Sequence, residues 1–263
     1  MSFLISVGAL WRREIVRFYR QRGRLIGALG TPLVFWFLIG SGVGETFRPS
    51  SVSDSLSYLS YFYPGTIVLI LLFTAIFSTI SLIEDRREGF LLSALVAPIS
   101  RMGLVLGKIL GGTTLAFLQG FVFVLMAPLV GIPLDLKKIL MVAAILFLMA
   151  FSLTCLGFSI AWQSESTQGY HSIMNLFLFP MWLLSGALFP LAGASAWVQV
   201  IMTLNPLTYE FSALWQVLYW GTPGVELGLP SFSISLAATL GFGLTTFAIS
   251  FWLARRPSLR GLG

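Results

Sequence analysis

Residues 166–209 read STQGYHSIMNLFLFPMWLLSGALFPLAGASAWVQVIMTLNPLTY, 44 consecutive positions without Asp, Glu, Lys or Arg. An α-helix needs about 20 apolar residues to cross the hydrocarbon core of a bilayer, so this run holds one crossing or two. The choice fixes the number of spans and the side on which the chain ends. Five further charge-free runs surround it: 25–44, 55–83, 109–134, 139–164 and 227–254. A backbone in lipid must satisfy its own hydrogen bonds, and the alternation of barrel strands is missing, so these runs read as helices. Spans are predicted near 25–43, 61–83, 109–131, 139–162, 172–189 and 231–253.

The composition agrees. Hydrophobic residues make up 57% of the 263-residue chain and charged residues 10%, against roughly 45–50% and 25% in ordinary globular domains. The mean hydropathy is +0.90. Soluble, disordered, collagen-like and coiled-coil classes are excluded. Cys155 and His171 are each the only residue of their type, which excludes an internal disulfide and a metal centre built from several Cys or His. No catalytic, cofactor-binding or metal site is expected.

The net charge of +6 points to orientation rather than to nucleic acid, because Lys and Arg collect on the cytoplasmic side. With the N-terminus inside and six spans, segments 1–24, 84–108, 163–171 and 254–263 are inside. They carry 6, 4, 0 and 3 basic residues, 13 of the 16, leaving Arg48, Lys137 and Lys138 outside. A seventh crossing would put Arg255, Arg256 and Arg260 outside. The expectation is an all-α polytopic membrane protein of six transmembrane helices. It would sit in a cell (inner or cytoplasmic) membrane with both termini cytoplasmic.

Region 190–220 then does not cross. Pro190, the small residues 193–196 and Asn205-Pro206 cut it into pieces too short to span. Two readings stand: two short helices forming a re-entrant hairpin that dips into the outer leaflet, with Trp197, Trp215, Tyr219 and Trp220 at interfacial depth, or an aromatic belt and nothing more. Residues 1–24 form an amphipathic helix. Leu4, Val7, Trp11, Ile15 and Phe18 share one stripe; Arg13, Arg17, Arg20 and Arg24 share the opposite one. It reads as an interfacial helix, apolar face in the acyl boundary and arginines towards headgroups or a partner, or as a simple topology anchor.

Gly103, Gly107 and Gly111 repeat every four residues and allow close helix approach. The stretch around Gly107-Lys108 is not a nucleotide loop, since it lacks a spacer, a following Ser or Thr, and a preceding strand. The spans carry almost no ionisable groups, unlike those of ion-driven transporters. The densest polar segment, Glu84-Asp85-Arg86-Arg87-Glu88-Gly89, is followed by Phe90-Leu91-Leu92-Ser93-Ala94-Leu95-Val96-Ala97 and Pro98-Ile99-Ser100-Arg101. Gly89 and Pro98 bracket about two turns of apolar helix, suited to a partner's groove; the plainer alternative is an interfacial loop.

These stretches together resemble the ABC-2 type transporter permeases, the group with daunorubicin-type drug and Nod-factor lipooligosaccharide exporters. Similar features are the loop 84–108, Leu184-Ser185-Gly186-Ala187-Leu188-Phe189-Pro190 and Asn205-Pro206-Leu207-Thr208-Tyr209. Phe90 stands where many relatives have threonine, and Phe211 to Trp215 lacks an aspartate and an arginine common there. The resemblance implies a homodimer bound to two ABC ATPase subunits, with ATP and Mg in the ATPase and no cofactor in this chain. It implies coupling through Glu84, Arg86, Arg87, Glu88, Gly89, Leu91, Leu92, Pro98 and Arg101, with Trp11, Arg13, Arg17 and Arg20 as a second contact. Ser185, Gly186, Pro190, Asn205 and Pro206 carry the re-entrant motif. Phe35, Trp36, Phe177 and Trp182 are candidates for the path of an amphipathic or lipid-linked substrate. Two other functions compete: an integral membrane enzyme acting on lipids, which needs polar groups clustered at one face, and a self-sufficient channel or secondary transporter.

Overall fold

The computed structural model describes residues 3–42, 57–97, 99–221 and 227–255. Among them all regular structure is helical: α1 (Phe3–Arg20), α2 (Arg22–Gly42), α3 (Tyr58–Arg87), α4 (Phe90–Val96), α5 (Arg101–Val124) and α6 (Leu136–Gln163). There follow α7 (Thr167–Ile173), α8 (Phe179–Trp182), α9 (Ala196–Leu204), α10 (Pro206–Leu218) and α11 (Phe232–Arg255). Side-chain oxygens cap several starts. Ser57, Ser100, Asp135, Ser166 and Asn205 each accept from a backbone N–H in the first turn, satisfying donors that the helix leaves free.

Helix α3 is the central post. Its residues from Tyr61 to Leu72 are buried, packed by α2, α5, α6 and α10. Helix α11 closes the far side against α6 and α10. Helices α3, α5, α6 and α11 are long and apolar enough to cross a membrane, and α2 adds the shorter apolar stretch Ile26–Gly40. The chain is thus a multi-pass helical membrane protein. The coupling segment ends earlier than expected from 84–108: α5 begins at Arg101, so Lys108 lies two turns inside a helix.

The region of the fifth predicted span, 172–189, is not one α-helix. Wide π turns at Met174–Leu178 and Leu183–Ala187 interrupt it. The first of them precedes Pro180, which lacks an amide for the regular ladder. In the second, Leu184 leaves helical geometry and Gly186 takes φ +92°, a conformation that glycine adopts without steric cost. The freed carbonyls are taken up by other parts of the chain. Asn205 Nδ2 donates to Met181 O at 2.6 Å and Leu184 O at 3.0 Å, and Tyr61 Oη donates to Gly186 O at 2.7 Å. The same Asn205 accepts at Oδ1 from Leu207 N at 3.1 Å, so one side chain closes a broken helix and starts α10, with Pro206 at its first position.

Region 190–220 does hold two short helices, α9 and α10, with Pro190 extended before them. They differ in burial. Most of α9 is exposed, while α10 is packed against α6, α11 and α3. Trp197 and Trp220 are exposed, but Trp215 and Tyr219 are buried. Their ring centres lie 4.3 Å apart with the planes inclined by 31°, and Tyr219 Oη donates to Ser60 O at 2.6 Å. Those two aromatics pack in the core of the chain, whereas Trp197 and Trp220 stand on its surface.

Candidate functional site

Helix α1 seats along α5 because the glycine repeat leaves room. A Cβ at Gly107 would stand 2.7 Å from Leu10 Cβ, and one at Gly111 2.6 Å from Glu14 Cβ. The seated helix is turned away from the stripe expected of it. Ser6, Leu10 and Glu14, between the apolar stripe and the arginines, form its buried face together with Phe18 at the edge of that stripe. The cause is electrostatic: Arg13 and Arg17 reach α3 rather than headgroups.

Asp85, fully buried, is the centre. Arg13 holds it with two bonds, Nη1 to Oδ2 at 2.9 Å and Nη2 to Oδ1 at 2.6 Å. Arg17 also donates to it, and Arg17 Nη2 reaches Glu84 at 2.9 Å and Glu88 at 3.1 Å. Lys108, itself buried, donates to Asp85 Oδ2 at 2.5 Å and to Glu14 Oε1 at 2.8 Å. Ser81 Oγ donates to Glu14 Oε2 at 2.5 Å. The hydrogen bonds to Asp85 are the main reason that the Arg13 pKa is raised. Removing one partner from such a cluster strands a buried charge, so the whole set holds α1, α3 and α5 in one arrangement.

Two more arginines tie neighbouring helix ends to this hub. Arg86 donates to the carbonyls of Ser164 at 2.8 Å and Trp162 at 2.5 Å, at the end of α6. Arg101 donates to the carbonyls of Ala254 at 3.1 Å and Arg255 at 2.6 Å, at the end of α11. Last-turn carbonyls have no helical donor, and a cation there is favourable.

Helix α4 hangs from this hub. Gly89, at φ +75°, turns the chain out of α3, and the Arg13 guanidinium lies 3.7 Å from the centre of the Phe90 ring. Leu91 and Ala94 face inward, whereas Leu92 and Val96, one turn apart, are exposed at 58% and 79%. Arg87 is exposed, and Pro98 lies outside the described residues. Trp11 donates from Nε1 to Thr114 Oγ1 at 3.0 Å, and Arg20 is exposed.

The four aromatic candidates separate. Trp182 is fully buried and donates to Gly65 O at 2.8 Å, so it lines no surface of this chain. Phe35 packs on Phe179 and Trp182, and Trp36 on Tyr63 and Phe123. Phe177 is exposed. Ser185 is buried and donates to Trp182 O at 2.7 Å.

Sequence reading missed the inner members of the hub, Glu14, Ser81 and Lys108, and treated Asp85 only as part of a charged approach. The signal was there. Glu14 is the only acid among the first 24 residues, and Lys108 the only charge between Arg101 and Asp135. It also missed Glu210, which is fully buried on α10 and accepts from Ser152 Oγ.

The chain is thus a multi-pass helical membrane protein in which a short helix with an exposed apolar edge is fastened to a charged hub. The chain belongs to the ABC-2 type transporter family, whose profile matches residues 5–219. It is 30% identical to the transport permease ycf38 of Cyanophora paradoxa, over 90% of this chain and 83% of the relative. It is 23% identical to nodulation protein J of Rhizobium meliloti (strain 1021), over 90% of each. With nodulation protein J of Neorhizobium galegae the identity is 24%, over 97% and 95%. As a member of this family it is the membrane permease component of an ABC transporter, and the family implies an ABC ATPase partner.

Proposed function

We propose that the chain is the permease subunit of an ABC exporter and moves an amphipathic or lipid-linked substrate. A separate ATPase hydrolyses the ATP. Two copies and two ATPases form the complex, in the cell inner membrane. Each copy crosses six times with both termini cytoplasmic, through α2, α3, α5, α6, the broken run α7–α8 and α11, while α9 and α10 form a re-entrant hairpin. Helix α4 is the coupling helix.

The observation that carries this reading is the exposed pair Leu92 and Val96 on a short helix fixed to the hub. Bonds through Asp85, Arg86 and Arg101 connect this junction to α1 and to the ends of α6 and α11. A push on α4 therefore meets a stiff junction of several spans rather than a loose loop. The exposed edge of α4 is apolar, which favours a docking surface over an enzyme acting on lipids.

The test is purification of the tagged chain from its native membrane. A stoichiometric ATPase and a complex of two permeases with two ATPases are expected, and the chain alone should not bind ATP. A chain that transports without any ATPase, or binds ATP by itself, overturns the reading.

A further inference from the structure

Helix α6 is 28 residues long, about 42 Å at 1.5 Å per residue. Its last turn touches Arg86, so its first turn lies at the end of the bundle remote from the ionic hub. There, a cleft of about 370 Å³ opens between the start of α6 and the end of α10, lined among others by Asp135, Lys137, Lys138, Met141, Val217 and Trp220.

The two lysines have different tasks. Lys138 is buried and donates from Nζ to Leu218 O at 3.0 Å, closing the carbonyl end of α10. Lys137 is exposed, and its ammonium stands 5.3 Å from the centre of the Trp220 ring. Among the described residues it has no ion pair and no hydrogen bond. Asp135 Oδ1 accepts from Lys138 N at 2.6 Å, and among the described residues no side chain caps the preceding amide, that of Lys137, which also lines the cleft. The cleft therefore presents an ammonium without an ion pair, the Lys137 amide at the positive end of a long helix, and an aromatic and aliphatic wall.

We propose that this cleft is a binding site for the phosphodiester headgroup of a phospholipid. Lys137 turns from the Trp220 ring to the phosphate, and its own backbone amide at the start of α6 adds an oxygen contact. Met141, Val217 and the face of Trp220 cover the glycerol and the first acyl carbons, at the depth where Trp and Lys mark a bilayer interface. Two ammonium groups and the Asp135 carboxylate leave one net positive charge. That balance matches a singly charged phosphodiester and disfavours the dianion of a free phosphate monoester. The site depends on the fold of this chain and not on the direction of transport or on the ATPase.

The test titrates the purified full chain in detergent with phosphatidylglycerol, diacylglycerol and glycerol 3-phosphate, read by native mass spectrometry. One retained phosphatidylglycerol is expected, with no diacylglycerol, and glycerol 3-phosphate should not compete at matched concentration. Lys137→Gln should weaken phosphatidylglycerol about fivefold, as expected for one lysine beside an anionic headgroup, while Lys137→Arg should retain it. The altered side chain is exposed, and an unchanged thermal midpoint in the same detergent checks that both variants fold. Equal phosphatidylglycerol binding by Lys137→Gln, or equal binding of diacylglycerol, overturns the proposal. Full competition by glycerol 3-phosphate also overturns it, by making this a soluble-anion site. Because no ATPase is present, none of these results bears on the permease reading.

Discussion

Replacing Lys108 with Met tests whether the buried hub holds the bundle together. Its ammonium lies 2.8 Å from Glu14 Oε1 and 2.5 Å from Asp85 Oδ2. At an effective dielectric of about 20, each contact is worth roughly 6 kcal/mol of attraction before desolvation is subtracted. The two carboxylates are left in unequal positions. Asp85 keeps Arg13 and Arg17, while Glu14 keeps Ser81 and a 3.3 Å contact with Arg13. Glu14 is thus the stranded charge, and breaking a buried pair on one side costs about 3–5 kcal/mol. Neutralising that charge as well, in Lys108→Met with Glu14→Gln, should restore more than half of the loss, because the Ser81 bond survives. The assay is equilibrium unfolding by SDS in mixed micelles, followed by tryptophan fluorescence, for the parent, both single variants and the double. A Lys108→Met variant within about 0.5 kcal/mol of the parent would refute the reasoning, since surface changes fall in that range. So would a double variant whose loss equals the sum of the singles, the sign of uncoupled sites.

Two further perturbations probe the same architecture. Gly107→Leu drives a side chain into Leu10, so α1 should lift from α5, with a loss of about 1–3 kcal/mol and faster amide hydrogen exchange over α1; unchanged exchange there would mean that the glycine repeat is not what seats α1. Arg101→Ala frees the end of α11 and should cost about 0.3–2 kcal/mol, visible as faster amide hydrogen exchange over 250–255; unchanged exchange there would remove Arg101 as the tie.

Much of this was legible because lipid makes strong demands on a sequence. Charge-free runs at 55–83, 139–164 and 227–254 match α3, α6 and α11 to within about five residues, whereas α5 (Arg101–Val124) both starts and ends well before its run 109–134. Gly89, Asn205 and Pro206 announced their turns. What was not legible were pairings between distant segments. Asp85 and Lys108 are 23 positions apart and meet Glu14 only because Gly107 and Gly111 let α1 approach. The periodicity of residues 1–24 gave a helix and two stripes. Which face turned inward depended on carboxylates about 70 residues away. The π turns at 174–178 and 183–187 were hidden for a similar reason, since the carbonyls they free are satisfied by Tyr61 and Asn205 from elsewhere in the chain.

The central claim is that α4 passes the ATPase's work into the membrane helices, and Leu92→Asp tests it most directly. Leu92 is exposed and outside the long apolar helices, so membrane abundance should stay at the parent level. A buried apolar anchor at an interface is commonly worth about 2 kcal/mol, a roughly 30-fold change in affinity. Co-purification of the ATPase with the Leu92→Asp chain, measured against equal membrane abundance, should therefore fall by about that factor and take transport with it. Full ATPase association and full transport in that variant would contradict the account.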